Sequence, residues 1–102
     1  MIVQWYSEAL DDLNQIYEFY YAGSPRVAAQ LYNQILDDVE FLKKHPYIAA
    51  LEPVLNDCPE EYRSLVVAKG KFKAVYYVVE DSVFIVQFFN CRQDTEKLKR
   101  KH

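Results

Sequence analysis

The last apolar run of the chain stops at FFNCRQD, residues 88–94, where a cysteine, an arginine, a glutamine and an aspartate follow in quick succession. Three cations of the second half, Arg63, Lys73 and Arg92, have the character to work on a phosphodiester without a metal. Guanidinium groups stabilise charge developing on phosphate, and a lysine or tyrosine moves protons. Lys69 and Lys71 flank Gly70 and are candidates for touching phosphate, while Tyr77, Gln87 and Asp94 complete the candidates for binding a target. Each has a plainer reading. Turn lysines are ordinarily solvated, polar positions on a half-exposed antiparallel sheet ordinarily face water, and Arg92 has Asp94 nearby as an ion-pair partner.

Other chemistries lack their parts. Gly23 and Gly70 are the only glycines, so there is no glycine-rich phosphate loop, and neither HExxH nor a zinc-finger spacing occurs. His45 sits beside Pro46 and His102 is the last residue, so neither suits a serine or cysteine nucleophile as its base. Cys58 and Cys91 are far apart and fit no CxxC spacing, which reads as two free thiols in a reducing compartment. No metal and no cofactor is expected. The pairs Asp11-Asp12 and Asp37-Asp38 have neighbouring side chains about 100° apart on a helix and read as solvated faces.

The elements that must position the cations follow from periodicity. MIVQWY favours a strand, and Ser7 then reads as an N-cap, with Glu8 and Asp11 near the positive end of the helix dipole. Leu10, Leu13, Ile16, Tyr17 and Tyr20 form one apolar stripe, and Gly23 ends the helix. Ser24-Pro25 starts a second helix with the stripe Ala28, Leu31, Ile35, Val39 and Leu42, stopped by Pro46. The short connection folds the two helices into an antiparallel hairpin. Residues 46–61 read as a loop with a helical turn near residues 48–51. Three strands follow over 62–68, 72–79 and 83–89, joined by turns at Lys69-Gly70-Lys71 and Glu80-Asp81-Ser82.

The expected fold is a single α+β domain over residues 1–102, ordered β-α-α-β-β-β, with a mostly antiparallel sheet and the helical hairpin packed on one face. If the hairpin covers the face carrying Tyr62, Val66, Phe72, Tyr76 and Phe88, the opposite face displays Arg63, Lys73, Tyr77 and Gln87 in an open hollow. On that reading Arg63→Ala leaves folding nearly intact.

Composition fits one compact domain, with 51% hydrophobic and 26% charged residues in a chain of 102. Charge is uneven. Through residue 61 there are three basic against eleven acidic residues, a balance of −8, and afterwards nine against four, a balance of +5. Such asymmetry suits an anion-binding end, although five net positive charges are few for tight nucleic-acid binding. No apolar run reaches the length of a membrane span, and the start MIVQWYSEALDD lacks a signal peptide's basic n-region. A cytoplasmic protein without membrane contact is expected.

Taken in order, the initial strand leading into WYSEALDDLNQIYEFY, the helix SPRVAAQLYNQILDDVEFLKKHP, YRSLVV, KFKAVYYVVEDSVFIVQFF and the closing NCRQD resemble the RelE/ParE superfamily of toxins. The likeness spans nearly the whole chain. It implies a toxin of a type II toxin–antitoxin module, associated with plasmid stabilisation and growth inhibition. A cognate antitoxin would neutralise it, in a heterotetramer with the toxin or beside a toxin homodimer. The RelE branch implies a ribosome-dependent mRNA endonuclease, and the ParE branch implies a poison of DNA gyrase. By resemblance Arg63, Lys73 and Arg92 fall at basic positions of the RelE-type site. Leu65 stands where that branch has a catalytic lysine, and Thr95 to His102 contains no tyrosine to match its C-terminal one. These departures point to the ParE branch, with a degenerate antitoxin-binding module as a further alternative.

Overall fold

The computed structural model describes residues 1–91. Strand β1 (Ile2–Trp5) leads into helix α1 (Ser7–Gly23), and α2 (Pro25–Glu40) runs back along it. Strand β2 (Ala50–Leu51) precedes β3 (Arg63–Val67), β4 (Phe72–Val79) and β5 (Ser82–Asn90). The five strands lie in the order β1-β5-β4-β3-β2, with β1 parallel to β5 and the other neighbours antiparallel. Among the described residues no helix is long and apolar enough to cross a membrane.

Local chemistry places most helix ends. Ser24 accepts a hydrogen bond from the Val27 N–H through Oγ, and Pro25 occupies the first turn, where its missing N–H costs nothing. Ser7, expected to cap α1, is instead its first residue, and Tyr6 holds the cap position without a side-chain bond. Ala9 and Leu13 of α1 and Ile35 and Val39 of α2 are buried against the sheet, and Ala28 is buried as well, whereas Leu10 is exposed.

The 46–61 segment differs from expectation. Its helical turn falls at Pro53–Leu55 rather than near 48–51, because Glu52 caps it: the Glu52 carboxylate accepts from the Val54 N–H at 3.2 Å. Ahead of it, Ala50 and Leu51 pair with Ser64 and Arg63 as the outermost strand.

The core has two parts, one on each side of the sheet. Leu13, Ile35, Val39 and Leu42 meet Phe72, Ala74, Tyr76, Val83, Ile85 and Phe88 on the side covered by the helices. On the other side Leu55, Tyr62, Val75, Val86 and Phe89 pack together with Cys58 and Tyr77. The second face is therefore no open hollow, since the loop before β3 folds over it and fills it with Leu55 and Tyr62.

Register decides which residues share a face. Val75 pairs with Gln87 but Tyr76 with Ile85, so Val86 is the extra residue of a β-bulge. Before the bulge Val83 and Ile85 face the helices, and beyond it Phe89 faces away. The expected alternation of Val83, Ile85, Gln87 and Phe89 on one side is broken there.

Candidate functional site

Phe72, Tyr76 and Phe88 lie beneath the helices as expected, with Lys73 and Tyr77 on the other side. Tyr62 and Val66 were expected with the former group, but Tyr62 belongs to the second cluster and Val66 is exposed. Arg63 is the larger correction. It pairs across the ladder with Tyr76, and directly opposed residues share a face, so Arg63 and Lys73 project to opposite sides of the sheet. Expected as neighbours, they are separated because the four-residue turn 68–71 sets Val67 against Phe72 and Arg63 against Tyr76.

Arg63 holds the segment before β2 in place. Its guanidinium donates to the Ala49 carbonyl at 2.8 Å and the Tyr47 carbonyl at 3.3 Å, and lies 5.3 Å from the Tyr47 ring centre. The Tyr76 hydroxyl donates to the Pro46 carbonyl at 2.7 Å, and burial pushes that phenol's pKa up. Two side chains of one face thus satisfy three carbonyls of a loop that has few backbone partners of its own.

Lys73 is the counter-ion of a buried carboxylate. Its ammonium lies 3.5 Å from Glu52 Oε1, which also accepts from the Ser64 hydroxyl at 2.8 Å. Glu52 is 3% exposed, and these bonds together with the Val54 N–H offset the cost of burying its charge. The sequence offered one signal for Glu52, its place directly before Pro53 at a turn start.

Tyr77 belongs to an aromatic cluster with Tyr6, Tyr62 and Phe84. Its hydroxyl shares a 2.6 Å hydrogen bond with that of Tyr6, and this bond, followed by burial, pushes the Tyr77 phenol up to about 12. Burial, and then the carboxylate of Glu60, pushes Tyr62 up to about 12 as well. Both phenols keep their protons at neutral pH and make poor bases there. Gln87 is buried in the bulge, donates to the Asp12 carboxylate at 3.4 Å, and leaves its Oε1 without a partner among the described residues.

Lys69 and Lys71 are exposed on the β3–β4 turn. Ala68, Lys69 and Gly70 have positive φ of 52°, 55° and 90°, and only Gly70 takes such an angle without steric cost. The Ala68 N–H donates to Asp38 Oδ2 at 2.8 Å, while Gln34 donates to Oδ1. Asp38, expected as a solvated residue, thus ties α2 to the turn. A pocket of about 300 Å³ is lined by Tyr20, Lys69, Gly70, Lys71, Asn90 and Cys91. A groove of about 480 Å³ adjoins it through Tyr20 and Asn90, running between α1 and the end of β5 past Phe19. Phe19, off the apolar stripe, was not singled out by the sequence. Arg92 and Asp94 lie outside the described residues.

The sequence matches the family model described as "ParE toxin of type II toxin-antitoxin system, parDE" over residues 3–95. Among solved structures it is similar to a chain of the chromosomal ParDE TA system from P. aeruginosa, with a TM-score of 0.72 and 24% identity. That alignment covers 88% of this chain and 95% of the other, and at such identity it is a likeness of fold. A search of curated proteins returned no match. The helical hairpin on a mostly antiparallel sheet and a family match over nearly the whole length lead to one conclusion: the chain belongs to the ParE toxin family of type II toxin–antitoxin systems.

Proposed function

We propose that this chain arrests growth by binding a protein target such as DNA gyrase, and that a cognate antitoxin neutralises it by binding its surface. The observation that carries this reading is the fate of the two described cations of the RelE-type set. Arg63 and Lys73 lie on opposite faces, one bound to loop carbonyls and the other to buried Glu52, and the face opposite the helices is filled by Leu55 and Tyr62. Catalysis of phosphodiester cleavage needs its charged groups to converge on one phosphate, and this pair does not.

Gyrase supercoiling of relaxed plasmid, measured with and without the purified protein, tests the reading. Inhibition or trapped cleavage complexes are expected, relieved by the product of the adjacent gene. Primer extension on cellular mRNA after induction supplies the contrary outcome. New 5′ ends that vanish in Arg63→Ala or Lys73→Ala would replace this proposal with the endonuclease reading, and normal growth on induction would leave the non-toxic binding module.

A further inference from the structure

Between β2 and β3 the chain leaves the sheet and returns to the same place. Ala50 pairs with Ser64 and Leu51 with Arg63, and the Glu52 N–H donates to the Tyr62 carbonyl at 2.8 Å. Residues 53–61 therefore form a loop closed at its neck, the form of an Ω-loop, whose ends meet and whose own side chains pack it. Its backbone is bonded locally rather than to the sheet. The N–H groups of Leu55, Asn56 and Cys58 donate to the carbonyls of Glu52, Pro53 and Leu55, and among the described residues none of 53–61 makes a backbone bond to a strand. Pro53 and Pro59 have no N–H to give.

Side chains hold the loop down. Leu55, 1% exposed, sits among Tyr62, Val75, Val86 and Phe89, and Cys58 packs against the same cluster. The Glu52 carboxylate ties the first turn of the loop to the sheet, since it accepts from the Val54 N–H and from the Ser64 hydroxyl of β3, with the Lys73 ammonium of β4 3.5 Å away. Beyond Leu55 the hold is slight. Asn56, Asp57, Pro59, Glu60 and Glu61 are exposed, and Glu61 reaches Arg63 only at 4.0 Å. Asp57, Glu60 and Glu61 place three like charges in the loop with no cation among 53–61, which works against its compact form. The strands beneath are secured differently, β4 and β5 by a backbone ladder from Phe72 with Asn90 to Val79 with Ser82. Lifting the loop breaks none of that ladder, so it costs less than unfolding the sheet.

We infer that residues 53–61 are a lid that lifts as a unit about the Glu52–Tyr62 neck, with Leu55 as its plug and the Glu52 carboxylate as its latch. Tyr62 stays at the neck against Tyr77, whose ring centre is 5.6 Å from its own. The lifted state bares Val75, Val86 and Phe89 and frees the Cys58 thiol, so the closed chain withholds an apolar strip that the open chain presents. This motion belongs to the fold itself and is independent of what the chain arrests.

Cys58 reports the opening. In full-length protein carrying Cys91→Ser it is the one thiol left, and its reaction with the aromatic disulfide DTNB is followed by the absorbance of the released thiolate under native conditions. The rate is measured in that background and with Leu55→Ala, Glu52→Gln or Leu13→Ala added. Leu55→Ala and Glu52→Gln, which remove plug and latch, are each expected to speed labelling about 10-fold or more. Leu13→Ala lies across the sheet and weakens the whole fold, yet should leave the rate within about 3-fold, because the lid opens without it. Equal acceleration by Leu13→Ala and Leu55→Ala overturns the lid, since Cys58 is then reached only through global unfolding. Rates unchanged in both Leu55→Ala and Glu52→Gln overturn it as well, since the thiol is then reached with the loop in place.

Discussion

Arg63 shows how one side chain changes meaning once its surroundings are known. As a cation on a strand it is a candidate for phosphate chemistry, but its guanidinium donates to two loop carbonyls and is partly withdrawn from solvent. Arg63→Ala leaves those carbonyls without their donor and is expected to cost about 1–3 kcal/mol in urea denaturation, contrary to the expectation of unchanged folding. Arg63→Lys should recover only part, because both bonds leave one terminal nitrogen, Nη1, that the shorter lysine stem has to reach, and an ammonium lacks the planar group set over the Tyr47 ring. Glu52 carries a comparable load. Glu52→Ala removes the acceptor for Ser64 and Val54 and the counter-ion of Lys73, so a loss of about 2–4 kcal/mol is expected by the same measurement. Lys73→Met is expected to cost a comparable amount, because it leaves the buried Glu52 charge without its counter-ion.

At the scale of elements, the helices were the most legible part. Leu13 and Ile35, 1% exposed each, fall on stripes with the period of a helix, and Ser24-Pro25 marks the second start. The loop before β3 was the least legible, because its order comes from contacts distant in sequence, Glu52 with Lys73 and Leu55 with Val75 and Val86. Leu13→Ala and Leu55→Ala are each expected to destabilise by about 2–4 kcal/mol in chemical denaturation, one on each side of the sheet. Their effects should add in the double variant, since the sheet separates them. A loss below about 0.5 kcal/mol for Leu55→Ala would show that the loop does not seal its face.

The whole molecule responds to alkaline pH through its phenols. Tyr62 and Tyr77 release their protons near pH 10 when unfolded but are each pushed up to about 12 in the fold. Between those values the folded state binds more protons than the unfolded one, so stability falls as pH rises. Their contribution is whole below about pH 10 and disappears as pH climbs to about 12. Denaturation midpoints measured across that window should drop, and more gently in Tyr62→Phe and Tyr77→Phe.

What the sequence determined by itself was whatever depends on neighbours along the chain: two amphipathic helices, their hairpin, the first strand and the three of the second half, and the residue types that make a family resemblance. Tertiary structure decided where the cations point. Alternation orders side chains within a strand, but the turn at 68–71 sets Arg63 opposite Tyr76, and the bulge at Val86 shifts the faces of β5. A displacement of one residue in either place moves a side chain through the sheet to its other side, and nothing in the local pattern records it. The same holds for the groove beside Phe19, which among the described residues lies where β1 ends against Ile85 while β5 runs on to Asn90.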